Sequence, residues 1–123
     1  MKLGCFSVSL AVKDIHKSFQ FYQTLGFEKF HGDIEQGWLI LKNGETNLGL
    51  FQGMFENNIL TFNPGWDSSG KEVDEFDDVR IIQQHLKQNG YSLDKEVDEQ
   101  SSGPAHCVLT DPDGNQIMLD QHR

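Results

Sequence analysis

Cysteine is scarce in this 123-residue chain, with Cys5 and Cys107 as its two thiols. They form neither a C-x-x-C pair nor part of an even set of four or more, so two buried free thiols in a reducing compartment are expected. No apolar run approaches the roughly 18–20 residues of a membrane span. The opening Met1-Lys2-Leu3-Gly4-Cys5 lacks the apolar stretch and small-residue cleavage site of a signal peptide, so the cytoplasm is the expected address, with no membrane partner. Positive charge is also in short supply: ten basic residues face nineteen acidic ones, a net charge of −9. Phosphate binding needs a concentrated basic footprint, so no nucleic-acid partner is expected. The acidic surplus reads as a solvated surface, with a cationic ligand as the alternative.

What is present is enough apolar material for one core: 37% hydrophobic residues, with nine Phe and two Trp. That suits one domain, or two small modules sharing a core. Phe6, Val8, Leu10 and Val12 alternate with Ser7, Ser9 and Ala11, a period-two strand with one apolar and one small, polar face. Asp14 caps a helix over about residues 15–25, with Ile15, Phe19 and Tyr22 as its stripe and Gly26 as its terminator. Strands are predicted at 27–31, 38–42 and 47–51, the last two joined by a hairpin at Asn43-Gly44.

The pattern then returns. A strand ends at Phe76, Asp78 caps a second helix with the stripe Val79, Ile82 and Leu86, and Gly90 ends it. Asp78 follows Asp14 by 64 positions, Gly90 follows Gly26 by 64, and Tyr91 follows Phe27 by 64. Further strands are predicted at 92–95, 105–110 and 116–121. The last two are joined by Asp111-Pro112-Asp113-Gly114-Asn115, a tight turn. Both halves read β-α-β-β-β, an internal duplication. Module one spans about residues 4–52 and module two about 71–122. The intervening 53–70 loop carries Phe55, Ile59, Leu60, Phe62 and Trp66, too many large apolar groups for a plain linker. It either packs onto the core or walls a pocket.

Paired βαβββ modules with Leu10-Ala11-Val12-Lys13-Asp14, Ser18-Phe19-Gln20-Phe21-Tyr22, Leu25-Gly26-Phe27 and a closing DPDGN-x-I-x-L resemble the vicinal oxygen chelate superfamily. That group includes glyoxalase I, fosfomycin and bleomycin resistance proteins, and extradiol dioxygenases. The resemblance covers nearly the whole chain. It implies an α+β fold with a glyoxalase/bleomycin-resistance-like curved sheet around a central cup, and often a homodimer. It also implies metal-ligand slots, which here hold Ser7, Gly49, Lys71 and Met118. Glycine offers no side chain, a thioether is a poor ligand for hard divalent ions, and a lone hydroxyl binds them weakly. No metal and no other cofactor are therefore expected.

If Ser7 and Met118 mark the slots, alternation adds Ser9 on the first strand and Gln116, Asp120 and His122 on the last. Pairing Val108 with Met118 would set His106 opposite Asp120, near enough to interact. Three readings of His106, Asp120 and His122 stay open. Asp120 and His122 sit in water near the C-terminus and His106 is a satisfied sheet residue; or His106 is a general base or polar anchor oriented by Asp120; or the three form a relocated zinc or iron site. His16, His31 and His85 read as surface residues. Cys107, of opposite parity to His106, should face the helices. Phe51 and Trp66 are candidate aromatic walls.

The expected function is a cytoplasmic, homodimeric small-molecule-binding protein, resembling bleomycin resistance proteins. Its organic ligand would be held by Ser7, Ser9, Phe51, Trp66, His106, Val108, Met118, Asp120 and His122. The alternative is a glyoxalase- or dioxygenase-like enzyme with a divalent metal or acid–base site around His106, Asp120 and His122. A third reading is a closed cup and a role through partner contacts alone.

Overall fold

The structure, a computed structural model, describes every residue from Met1 to Arg123. In chain order it runs β1 (Cys5–Val12), α1 (Ile15–Thr24), β2 (Glu28–Asp33), β3 (Trp38–Asn43), β4 (Thr46–Gln52), β5 (Ile59–Asn63), α2 (Val79–Gln88), β6 (Ala105–Thr110) and β7 (Gln116–Gln121). This is the mixed α+β class expected from the sequence. Two compact units divide the chain: Ser7–Ile59, and Met1–Phe6 together with Leu60–Arg123. Within the first, strands lie in the order β2-β3-β4-β1, with β1 and β4 parallel and the other pairs antiparallel. Within the second the order is β5-β7-β6, with β6 and β7 antiparallel.

The two helices begin and end by the same chemistry. Asp14 accepts the N–H groups of His16 and Lys17 at 3.1 and 3.2 Å, and Asp78 accepts that of Arg80 at 2.9 Å. These carboxylates satisfy donors that a helix start leaves unpaired. At the C-termini, Gly26 N–H reaches Gln23 and Phe27 N–H reaches Tyr22, while Gly90 reaches Lys87 and Tyr91 reaches Leu86. Gly26 and Gly90 hold φ of +96° and +86°, a left-handed conformation that side chains resist.

A second glutamine-based contact repeats as well. The N–H of Ile15, first in α1, donates to Gln52 Oε1 at 2.8 Å; the N–H of Val79, first in α2, donates to Gln121 Oε1 at 2.8 Å. Each glutamine is the last residue of its strand, β4 or β7. Gln121 also donates from Nε2 to Asp78 Oδ2 and to the Arg123 carbonyl, both at 2.9 Å. Burial alone would raise the Asp78 carboxyl. The bonds from Gln121 and from the Arg80 N–H and guanidinium outweigh it and hold that carboxyl below its ordinary value.

Below these caps lie two cores. Ile15 packs with Leu39, Leu41 and Leu50, flanked by Phe19 and Tyr22. Val79 and Ile82 pack with Val97, Cys107 and Leu119, flanked by Leu86. Burial pushes the Cys107 thiol up to about 11, which makes it a core residue and a poor nucleophile. Cys5, expected to be buried, is only partly so.

Three segments depart from the sequence reading. No strand ends at Phe76; the strand before α2 is β5, inside the segment read as a loop. Ile59 and Thr61 are buried on one face of β5 while Phe62 packs with the α2 core on the other, so no polar alternation marks it. The acidic 71–77 stretch contributes an isolated bridge, Trp66 to Glu72. The strand expected at 92–95 likewise shrinks to one bridge, Lys95 to Val108. Nearby, the fully buried Gln83 of α2 stands in for a strand edge. Its amide accepts from Val97 N–H at 2.8 Å and donates to the Val97 carbonyl at 3.0 Å. Finally, Asn43 pairs with Thr46, so the hairpin turn is Gly44-Glu45, with Gly44 at φ +60°.

The unequal burial of the two glutamines makes a prediction. Gln121 is 2% exposed and Gln52 is exposed, so water can replace only the latter's bond. Gln121→Ala should cost about 2–4 kcal/mol and Gln52→Ala about 1 kcal/mol in urea denaturation. Equal losses would contradict the buried anchor.

Candidate functional site

In the unit containing Leu60–Arg123, the DPDGN turn aligns β6 and β7. Asp111 Oδ1 accepts the N–H groups of Asp113 and Asn115 at 2.9 and 2.8 Å, and Asn115 Nδ2 donates to Asp111 Oδ2 at 2.8 Å. These bonds hold the Asp111 carboxyl below its ordinary value, that from the Asn115 side chain most of all. The resulting register pairs Val108 with Met118 and His106 with Asp120, as the sequence indicated. Cys107 and Leu119 belong to the α2 core, and Gln121 reaches the α2 N-terminus. Alternation therefore turns His106, Val108, Met118 and Asp120 to the helix-free face.

The anticipated side-chain bond between His106 and Asp120 gives way to two others. His106 Nε2 lies 2.9 Å from Lys95 Nζ. Asp120 Oδ2 lies 3.2 Å from His122 Nε2, whose ring stacks on Trp66 at 4.5 Å between centroids and 8° between planes. Donating a hydrogen bond to the Asp120 carboxylate raises the His122 pKa, and partial burial opposes it. Arg123 closes the cluster. It donates to the carbonyls of Gly65 and Val73 at 3.1 and 2.6 Å and covers the Phe76 ring at 4.4 Å. The Trp66 segment is thus pinned by the chain's last two residues, which favours packing over a free lid.

In the other unit, Ser9 pairs across from Gly49 in the β1–β4 register, and Ser7 shares its parity two residues earlier on β1. Leu48 and Leu50 pack with the α1 core, so Gly49 and Phe51 lie on the helix-free face with the buried Ser7 and Ser9. Trp38 pairs with Phe51, and their rings are parallel within 9° at 6.5 Å. Phe55 adds a ring 5.3 Å beyond Phe51, and His31 meets the Trp38 edge at 5.6 Å. A Cβ built on Gly49 would lie 2.6 Å from the Phe51 ring and 3.5 Å from Ile40 Cδ1. The ligand slot that the resemblance places at Gly49 is roofed by an aromatic ring.

Of the residues singled out from sequence, Trp66, Asp120 and His122 form one contact cluster. His106 joins Lys95, while Val108 and Met118 form a cross-strand apolar pair. Ser7, Ser9 and Phe51 share the helix-free face of their own unit. Lys71 is exposed, with its N–H bonded to Asp67 Oδ1 at 3.0 Å. No three or more His, Cys, Asp or Glu side chains gather in a metal-holding group. His16 and His85 are exposed, as expected. Trp38 and Lys95 were missed. The buried parity of Leu39 and Leu41 would have marked Trp38; nothing in the sequence marks Lys95.

Residues 5–119 match the Glyoxalase/Bleomycin resistance protein/Dioxygenase superfamily, and the chain belongs to that family. No curated protein matches it. Among solved structures, it is similar to a superfamily member from Vibrio splendidus 12B01, at 16% identity and TM-score 0.67, over 94% of this chain and 96% of that one. A Legionella pneumophila protein described as an NAD-dependent benzaldehyde dehydrogenase aligns at 18% identity and TM-score 0.70, over 96% and 99% of the two chains. A homoprotocatechuate 2,3-dioxygenase variant from Brevibacterium fuscum aligns at 17% and TM-score 0.59, over 99% of this chain but 32% of its own. At such identities these likenesses show the fold alone.

Two measurements check this geometry. A raised His122 pKa means its contribution to stability is full below the unfolded value of about 6.5 and fades as pH rises through the folded value. Asp120→Asn should therefore lower the His122 titration midpoint seen by NMR and cost more stability near pH 5.5 than near pH 8.5; an unmoved midpoint would contradict the contact. Gly49→Ala should destabilise by about 1–3 kcal/mol by displacing the Phe51 ring. In a Phe51→Ala background that penalty should largely vanish, and strict additivity would refute the contact.

Proposed function

We propose that this protein is a small-molecule-binding member of its superfamily that works without a divalent metal. The observation that carries the reading is Phe51 over Gly49: the position offers no side chain to ligate an ion, and an aromatic ring lies over it. The chemistry of Ser7 and Met118 points the same way, since neither is a good donor for a hard ion. Partly buried apolar groups beside a few polar ones are the usual make-up of a ligand site. In one unit Val108, Met118 and Trp66 supply the first kind and His106, Asp120 and His122 the second. Ser7, Ser9 and Phe51 offer the same mixture on the helix-free face of the other. A cytoplasmic homodimer belongs to this reading, supported by the two free thiols and by the assembly that the family resemblance implies.

A second reading is acid–base catalysis. The bond between Asp120 and His122 favours it, because a carboxylate on an imidazole is how a general base is oriented. His122 then replaces His106 as the base. Under both readings the ligand meets protein groups directly.

A thermal-shift screen of the full chain in chelator, against diverse organic compounds, tests the proposal. Binding at a hundredfold excess over Kd adds about 2.7 kcal/mol, a shift of several degrees. The expected result is stabilisation by an organic compound that does not depend on added nickel, zinc, manganese or iron. Stabilisation by a metal ion alone would overturn it.

A further inference from the structure

The ammonium of Lys95 has an imidazole, and no carboxylate, as its neighbour. Lys2, Arg80, Lys87 and Arg123 each have a carboxylate partner within 4.0 Å, whereas the side chain of Lys95 contacts the imidazole of His106. Carboxylates close by in the fold are engaged elsewhere. Asp94 Oδ2 accepts the Thr110 hydroxyl at 2.6 Å, and Asp120 holds His122. An ammonium can only donate, so His106 Nε2 must accept and its proton sits on Nδ1. The ammonium keeps two further N–H groups beside that bond, while the imidazole N–H points away around the ring.

Its position is set by backbone. Lys95 and Val108 exchange both N–H···O bonds, at 3.1 and 2.9 Å, which directs their side chains to one face. His106 has the same parity as Val108, and Met118 pairs with Val108. The ammonium thus stands beside an apolar patch.

We propose that Lys95, held by His106, receives the carboxylate of a small organic ligand whose apolar part lies over Val108 and Met118. This rests on the small-molecule reading above and names the charge class of its ligand. The net charge of −9 does not oppose it. At physiological ionic strength fields are screened beyond about 8 Å, so nearby groups decide: the ammonium attracts a carboxylate, and Asp120, across from His106, is already bonded to His122. The same screening argument removes the case for a cationic ligand drawn from composition alone.

Three probes sharing one aromatic body test the assignment by calorimetry on the full chain: 2-naphthoate, 2-naphthol and 2-naphthylmethylammonium. The expected order is naphthoate tightest and the ammonium weakest. Lys95→Met, which keeps the apolar stem at an exposed site, should weaken naphthoate at least tenfold while moving naphthol less than twofold and leaving Tm unchanged. His106→Gln should weaken naphthoate as well. Tighter binding of the ammonium, or an unchanged naphthoate affinity in Lys95→Met, overturns the head-group assignment while the binder reading survives. No binding by any of the three at millimolar concentration counts against both.

Discussion

In both halves of the molecule a glutamine at the end of a strand holds the first amide of a helix, and much else follows from that bond. It ties β4 to α1 through Gln52 and β7 to α2 through Gln121. Because strand side chains alternate, turning the last residue toward the helix assigns every other residue of the strand to a face. Gln52 thereby sends Phe51 and Gly49 to the helix-free side of β4. Gln121 does the same for Asp120 and Met118. The capping carboxylates, the glycine terminators and these glutamines recur together, so the duplication is visible in hydrogen bonds as well as in sequence spacing.

The proposal of metal-free binding rests on what the helix-free faces carry. One carries an aromatic ring seated over a glycine, and the other carries a thioether beside valine. Their polar groups have taken other partners: His122 with Asp120 and Trp66, His106 with Lys95. Each contact suits recognition of an organic molecule, with flat apolar surface next to directional donors. A shared fold leaves such chemistry open, since function resides in the site and not in the scaffold.

Much of this was legible beforehand. Asp14, Asp78, Gly26 and Gly90 marked both helices because capping is local chemistry. The DPDGN turn also gave the β6–β7 register, from which the parity of Cys107 and His106 followed. Legibility failed where burial is two-sided or long-range. β5 shows no alternation because both its faces are covered. Val97 is held by Gln83, a helical side chain acting as a strand edge, and no local pattern announces that. Lys95 meets His106 through a single bridge between segments thirteen residues apart, Lys95 to Val108. A lone lysine in an acidic chain carries no sign of it.

The central claim is that this scaffold recognises its ligand through side chains, with no ion between them. Elemental analysis of the protein purified without a histidine tag tests that most directly. The account predicts metal far below one ion per chain, with folding intact. A stoichiometric ion that survives dialysis, and whose removal lowers Tm, would contradict it.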